Sequence, residues 1–450
     1  MSDAMPQTAF NPAATLAEIG EQLAGYDPQA LSADGVLAFL ARMVTPLGGA
    51  QALPLLQALD RILAEDVISP LSVPPHDNSA MDGYAFHGDS LPAAQSLQVV
   101  GTALAGKAWQ GEVRTGQCVK IMTGAIMPAG LDTVVAQELV QIDGDRVQIA
   151  AGLLQRGDNR RLCGEDLMTG QTALAAGTRL GPAACGLLAS LGLAQVPVRP
   201  RLKVAYFSTG DEILSLGEAP REGAVYDSNR YTVHGLLTRM GCEVLDMGVV
   251  HDDPALLEAA FKQAAAQADV IITSGGVSVG EADYTKAMMK KLGDVAFWRI
   301  AMRPGRPMAV GRIAQGGRST EGDISTEGDR SAVLFGLPGN PVAVMVTFLA
   351  FVRPTLQRMM GMTEMAMAPL PLLKARSQEV LRKKPGRTEY QRGIVSRNAQ
   401  GELQVIITGN QGSGVLSSMV RANGLLVLHH DQGNVAPGDV VDVMVFAGVM

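Results

Sequence analysis

Between residues 202 and 359 the chain alternates short apolar runs with helical ones, and that alternation narrows the possible folds more than any other feature. Residues 202–207 (LKVAYF) read as a buried strand. Asn229 to Met240 reads as a helix ended by Gly241, and Glu243 to Val249 is strand-like. Asp253 and Pro254 supply an N-cap and a first helical position, with Leu256, Leu257, Ala260, Phe261 and Ala264 as the expected buried face. Residues 270–273 (VIIT) form the next strand, followed by a glycine-rich turn and a helix through Lys291. Residues 333–337 (VLFGL) then precede a helix near 341–359. Such a βαβαβ order argues for a mainly parallel sheet with right-handed crossovers, whose ligands bind beyond the carboxyl ends of the strands.

The rest of the 450 residues exceeds what one core accommodates. Residues 1–30 are weakly patterned and read as a flexible extension, followed by helices expected at 35–44 and 53–64. From Ser69 to about Arg161, glycines and prolines punctuate the short runs 97–104, 118–122, 133–136 and 146–149, which suggests a small β domain. Residues 182–193 return to helical spacing. The duplicated Ser-Thr-Glu-Gly-Asp at 319–323 and 325–329 reads as a loop, and 362–371 as a linker. The last 80 or so residues alternate like a small β barrel or sandwich.

Composition excludes several functions. A net charge of −7 and 4% aromatic residues argue against nucleic acid as partner. Cys118, Cys163, Cys185 and Cys242 show no metal or disulfide spacing, which fits a reducing cytoplasmic setting. No basic residue precedes Arg42, so a secretory or transit leader is not expected. The longest apolar stretch, Val342 to Val352, is too short to span a bilayer and reads as a buried helix.

Three strand-to-helix loops carry the strongest chemical signal. In Thr273-Ser274-Gly275-Gly276-Val277-Ser278-Val279-Gly280, glycines let the backbone approach an anion and helix-start N–H groups face it. Ser208-Thr-Gly-Asp211-Glu212 places two adjacent carboxylates at a strand's carboxyl end, which suits Mg²⁺. Leu337-Pro338-Gly339-Asn340-Pro341 fixes a third corner. A tight turn or a cap is the plainer reading of each one alone; all three on one sheet rim point to a ligand site. Asp227, Asp252 and Asp283 fall on the same rim, as caps or as part of a carboxylate cluster. Arg299, Arg303 and Arg306 in FWRIAMRPGRP suit an oxyanion, or form a charged strand edge; in one strand, 299 and 303 would share a face. Phe297 and Trp298 are expected in the core. The polar islands at 77–85, 120–124 and 159–166 are turns, or a wall facing another subunit's site.

In this order, DNSAMDGYA, KIMTGA, GDNRRLCGED, STGDEI, YDSNRY, TSGGVSVGEADYTK, FWRIAMRPGRPMAVG, LPGNPVAV and GRTEYQRG resemble the molybdopterin molybdenumtransferase family, which includes the C-terminal portion of gephyrin. The resemblance runs from about residue 35 to the end. It implies an α/β plus β, multidomain, elongated chain that forms a homodimer. Its parts would be a parallel-sheet molybdopterin-binding domain (31–44 and 197–365), a central domain (45–67 and 165–196), an inserted β domain (68–164) and a C-terminal β domain (366–450). The implied reaction inserts molybdate into the dithiolene of adenylylated molybdopterin, with Mg²⁺-dependent hydrolysis releasing AMP and molybdenum cofactor. The implied catalytic positions are Asp82, Thr123, Asp166, Glu212, Asp252 and Asp283, with Glu212, Asp211 and Asp283 as metal ligands. The implied substrate contacts are Ser274, Gly275, Gly276, Ser278, Gly280, Arg299, Arg303, Pro338, Gly339, Asn340, Pro341, Arg392 and Ser413, with Arg387 competing with Arg392 for its match. The implied partners are the molybdopterin adenylyltransferase and molybdoenzyme maturation proteins. The family often carries lysines where this chain has Arg299, Arg303 and Arg306. Arg161 fits the pattern after Asn159 better than Arg160 does. Adenylyl transfer from ATP and a purely scaffolding role are the competing functions.

Overall fold

A computed structural model describes residues 14–277, 284–314, 331–367 and 371–448. Its largest sheet is built from β1 (Lys203–Thr209), β2 (Glu243–Val250), β3 (Val270–Ser274), β4 (Gly293–Arg299), β5 (Pro307–Ala314) and β6 (Ser331–Leu337). The spatial order is β2-β1-β3-β6-β5-β4. The first four strands in that order are parallel, and β5 and β4 continue the sheet antiparallel. Five helices cover it: α1 (Ala33–Met43), α2 (Ser228–Arg239), α3 (Pro254–Gln267), α4 (Tyr284–Leu292) and α5 (Pro341–Met359).

Both faces of this sheet are buried, as crossover helices require. Val204 and Tyr206 of β1 enter one core with Phe39, Leu40, Leu236, Leu237, Phe348 and Leu356 of α1, α2 and α5. Ala205 and Phe207 face the other way, onto Phe261, Ala264 and Met289 of α3 and α4. The two-residue strand period thus feeds two cores from a single apolar run. Asp253 caps α3, its carboxylate accepting the N–H of Ala255 and of Leu256 at 2.9 Å each. Leu257, not the exposed Leu256, joins the buried face of α3. Helix α5 is 19 residues long and apolar enough to cross a membrane, but 72% of it is buried inside the molecule, as a core helix is.

Three smaller units surround the sheet. Residues 51–54 pair with 195–198 and 67–68 with 172–174, so two distant stretches share the core of Leu63, Leu180, Leu188 and Val198. The helix expected at 53–64 does not form. Gln51–Pro54 takes a strand partner far along the chain, a short 3-10 turn follows at Leu55–Gln57, and Asp60 has φ of 62°, which no right-handed helix admits. A six-stranded sheet lies within residues 83–149, in the order 133–136, 83–86, 117–121, 95–103, 146–149, 141–143. At the C-terminal end, strands 388–397, 403–407, 373–377, 440–445 and 424–428 close into a barrel, because 424–428 pairs back onto 388–397. Met302–Arg303 adds to that barrel in parallel with Thr388–Glu389, tying it to the large sheet.

Residues 14–30, expected to be loose, are packed. Thr15 and Glu18 form a capping box, Leu16 and Ile19 are buried, and Arg312 donates to the carbonyls of Ala14 and Met43 at 2.9 and 2.6 Å. Trp298 is in the core with Phe39 against its ring, whereas Phe297 is only half-buried under Lys290. The repeated STEGD segment lies outside the described residues.

The α3 cap gives a direct test. Asp253→Ala removes both acceptor bonds and should cost about 1 kcal/mol. Amide exchange at Ala255 to Leu257 should then speed up roughly fivefold, since one kcal/mol changes an opening equilibrium by about that factor. Unchanged exchange there would mean that the helix start is held by packing alone.

Candidate active site

Register brings the three loops together. Ser208 of β1 lies opposite Ser274 of β3, and Ser274 lies opposite Leu337 of β6, so three strands end level. Their side chains form one network. The Tyr206 hydroxyl is 2.9 Å from Ser208 Oγ and 2.7 Å from Ser274 Oγ, and the two serines are 3.1 Å apart. Asn229 at the start of α2 donates to the carbonyl of Gly339 at 2.7 Å, linking the Leu337–Pro341 corner to the same point. Burial holds the Tyr206 phenol far above its ordinary pKa, so it stays protonated.

Gly275 and Gly276 are dictated by space and by φ values of 96° and 63°. A Cβ on Gly275 would meet the Thr209 carbonyl at 2.4 Å, and one on Gly276 would meet Thr285 at 2.5 Å. The Gly275 N–H donates to the Leu337 carbonyl at 3.2 Å, so it braces the rim and is not a spare anion donor. Among the described residues, three buried polar atoms at this edge have no partner: Thr209 Oγ1, Asp227 Oδ2 and Asn229 Oδ1. Buried polar groups are normally satisfied, so orphans clustered at one rim mark a place for ligand or water. Pro338 is buried, while Gly339 and Asn340 are exposed at the start of α5, with Pro341 beside them. Ser278, Gly280 and Asp283 lie outside the described residues.

Asp211 and Glu212 follow β1 and are exposed. The Asp211 carboxylate accepts from the Asp252 N–H at 3.2 Å and lies 3.4 Å from His251 Nδ1, so Asp211 and Asp252 do share a corner. Among the described residues, no group of three or more His, Cys, Asp or Glu side chains is placed to hold a metal ion. The donors that are present are hard carboxylate oxygens, of the kind Mg²⁺ takes.

A cationic seam lies where the barrel meets the large sheet. Arg303, Arg382, Glu389, Arg392 and Gln411 line a cavity of about 280 Å³ there. Arg299 and Arg303 do not share one strand face: β4 ends at Arg299, and Arg303 belongs to the short stretch paired with the barrel. The turn between them is fixed by Ala301, which donates to Leu31 and accepts from Thr388. Arg392 is buried, donating to Ser418 Oγ at 3.0 Å and to the carbonyls of Asn410 and Gly412 at 3.3 and 2.9 Å. Burial first, and Arg303 second, push its pKa down to about 10, so it remains charged at neutral pH. These bonds pin the loop carrying Ser413, whose carbonyl accepts the Val342 N–H at 3.0 Å. Arg387 is paired with Glu389 at 2.7 Å.

The polar islands of the inserted sheet form a second knot. Asp82 accepts from the N–H and the hydroxyl of Thr123 at 2.6 and 2.8 Å. Ser79 exchanges backbone bonds with Gly124 and Ala125, and Arg160–Arg161 pairs with Asn78–Ser79. Asp77 accepts from the Cys163 N–H at 2.8 Å, and Asp166 is exposed beside it in the chain. The knot belongs to a different sheet from the rim. Tyr206 and Asn229 were not singled out from the sequence as site residues; Tyr206 is two residues before Ser208 on one strand face, which is the signal that would have found it.

A parallel sheet with a braced three-loop rim, an inserted β sheet and a closed barrel together define a multidomain α/β plus β protein with a candidate ligand site at its strand ends. Residues 31–192 match the MoeA N-terminal region (domain I and II), 205–358 a probable molybdopterin binding domain, and 374–446 the MoeA C-terminal region (domain IV). The chain is 42% identical over 394 residues to molybdopterin molybdenumtransferase of Haemophilus influenzae, covering 88% of this chain and 93% of that one. It is 32% identical over 397 residues to the Bacillus subtilis protein of the same name, covering 86% and 87%. A molybdopterin biosynthesis moeA protein from Pyrococcus horikoshii has a similar structure, with a TM-score of 0.75 and 27% identity over 93% of this chain and 100% of that one. The chain belongs to the molybdopterin molybdenumtransferase family, and its activity is that of a transferase in molybdenum cofactor biosynthesis.

The Asp82–Thr123 pair has a measurable signature. The Thr123 N–H first, and its hydroxyl second, hold the Asp82 pKa below its ordinary value. A depressed carboxylate pKa supports the fold above the unfolded pKa, and that support is lost as pH falls through the folded one. Thr123→Val removes the hydroxyl bond and should move the Asp82 pKa upward, read from a carboxyl ¹³C titration. No upward movement would show that the backbone N–H alone sets it.

Proposed function

We propose that this chain inserts molybdate into the dithiolene of adenylylated molybdopterin and releases AMP and molybdenum cofactor. The observation that carries the reading is the convergence of Ser208, Ser274, Asn229 and Gly339 on one rim, beside polar atoms that have no partner among the described residues. A phosphoanhydride substrate needs room for backbone approach, cations and polar contacts. Gly275 and Gly276 keep the rim free of side chains, and Ser274, Pro338, Gly339, Asn340 and Pro341 shape its floor. Water adds to the pterin-side phosphorus, the bridging P–O bond breaks, AMP leaves with the bridging oxygen and the water's proton passes to solvent. The two dithiolene sulfurs displace from molybdate an oxygen, which leaves as water with the thiol protons. Glu212 and Asp211 would hold Mg²⁺, which lowers the charge on the phosphate oxygens.

Arg303 and Arg299 supply guanidinium forks for oxyanions, and Arg392 sets the Ser413 loop beside them. Molybdate, a dianion, suits the seam cavity between the barrel and the sheet. In this reading Asp82, Thr123 and Asp166 act from a second copy of the chain across the cleft, so the working unit is a homodimer. Its supplier is the class of enzyme that adenylylates molybdopterin, and its customers are proteins that load molybdoenzymes.

Purified chain incubated with adenylylated molybdopterin, molybdate and Mg²⁺ should release AMP and active cofactor in equal amounts. AMP formation that ignores molybdate, or ATP-dependent adenylylation of free molybdopterin by this chain alone, would overturn the assignment. Arg303→Ala should weaken binding of adenylylated molybdopterin by roughly 1.5–3 kcal/mol, the scale for hydrogen bonds to charged groups. A dissociation constant unchanged by calorimetry would make Arg303 surface charge only.

A further inference from the structure

At the opposite end of the large sheet is a second cavity, of about 190 Å³. It opens where β1 and β2 begin, since Leu202 and Gly241 line it, whereas the rim is where β1 ends. Seven residues of β1 at roughly 3.3 Å each separate the two, about 23 Å. Six arginines line this cavity: Arg61, Arg179, Arg199, Arg201, Arg239 and Arg353. The only carboxylate among the described residues lining it is Asp60, which pairs with Arg179 at 2.9 Å.

Three of the other arginines donate to neutral carbonyls. Arg61 donates to Arg199 O at 2.6 Å, Arg199 to Leu47 O at 2.6 Å and Arg201 to Gly241 O at 2.9 Å. Those bonds satisfy N–H groups but cancel no charge. Arg61 is buried and Arg353 partly so; burial first, then Arg201 and Arg179 respectively, lower their pKa values. Like charges gathered around one partly buried cavity repel, and a counter-charge between them relieves that repulsion. The whole chain carries 44 acidic against 37 basic side chains, so six cations in one cavity are not a consequence of composition.

We infer that this cavity is a second oxyanion site, separate from the rim, that takes a tetrahedral dianion of the phosphate or molybdate type. Guanidinium forks match such oxygens two at a time. The volume is well above what a single water needs. Asp60, Arg61 and Arg179 come from the unit around residues 51–68 and 172–198, and Arg201, Arg239 and Arg353 from the large sheet and its helices. A bound dianion therefore bridges the two units and stabilises their junction.

Calorimetric titration of the full chain with inorganic phosphate, and separately with molybdate, at ionic strength held constant with sodium chloride, tests this. At least one of the two should bind and raise the unfolding temperature; the tighter one identifies the natural occupant. Measured in an Arg303→Ala background, so that the barrel seam does not contribute, Arg239→Gln, an exposed change, should weaken that binding at least tenfold, and so should Arg353→Gln. If the Arg353 variant unfolds, the Arg239 variant alone decides. Flat titrations with both anions, or binding kept by Arg239→Gln in that background, would overturn the inference.

Discussion

The parallel pairing of β1, β3 and β6 is the constraint from which the rest follows. Because Ser208, Ser274 and Leu337 are register partners, their following loops leave the sheet at one level. Parallel strands can do this only with crossover helices, and those helices must bury both faces. The double-sided core built on Val204, Ala205, Tyr206 and Phe207 is therefore the reason a ligand rim exists at all. Tyr206 shows the coupling most directly. Its ring is part of the core, while its hydroxyl holds the two serines at the rim. Packing below and polar geometry above are set by one side chain.

Charge is distributed against the average of the chain. A molecule with net charge −7 concentrates arginines at two junctions between units, one beside the barrel and one at the amino ends of the strands. Arginine suits both places, since its planar group keeps its charge when partly buried and bonds several acceptors at once. Arg392 uses that ability inward, on Ser418, Asn410 and Gly412, and so converts a flexible loop into a fixed wall. Arg303, next to it and exposed, has its side chain facing the cavity. Two arginines from different motifs thus take different places, one bonded inward and one facing the cavity.

What could be read from the chain alone follows from the range of the interactions. The strands and helices from 202 to 359 were legible because apolar periodicity and local caps such as Asp253–Pro254 specify them within a few residues. The three loops were legible because glycine and proline requirements are local too. No helix forms over 53–64 because the strand 51–54 that leads into it pairs with 195–198, far off in sequence, and a pairing of that kind leaves no periodic trace. The Arg299–Arg303 face failed for a related reason. The turn at Ile300–Ala301 is made by contacts with Leu31 and Thr388, from both ends of the chain. The arginine cavity was likewise out of reach, since its six members are spread from residue 61 to residue 353.

The same distinction explains how the site can be divided. The Asp82–Thr123 knot is held by bonds within its own sheet, and the rim by bonds within the large one. Neither set of bonds draws on the other unit. Rigid halves on separate units can be brought together by docking, with no reorganisation of either, and that lowers the cost of assembling a site from two copies. On the proposed two-copy arrangement, such a site would form only where both halves meet. The barrel seam fits this scheme, because the Ser413 carbonyl on the Val342 N–H fixes the third wall to the start of α5 before any substrate arrives.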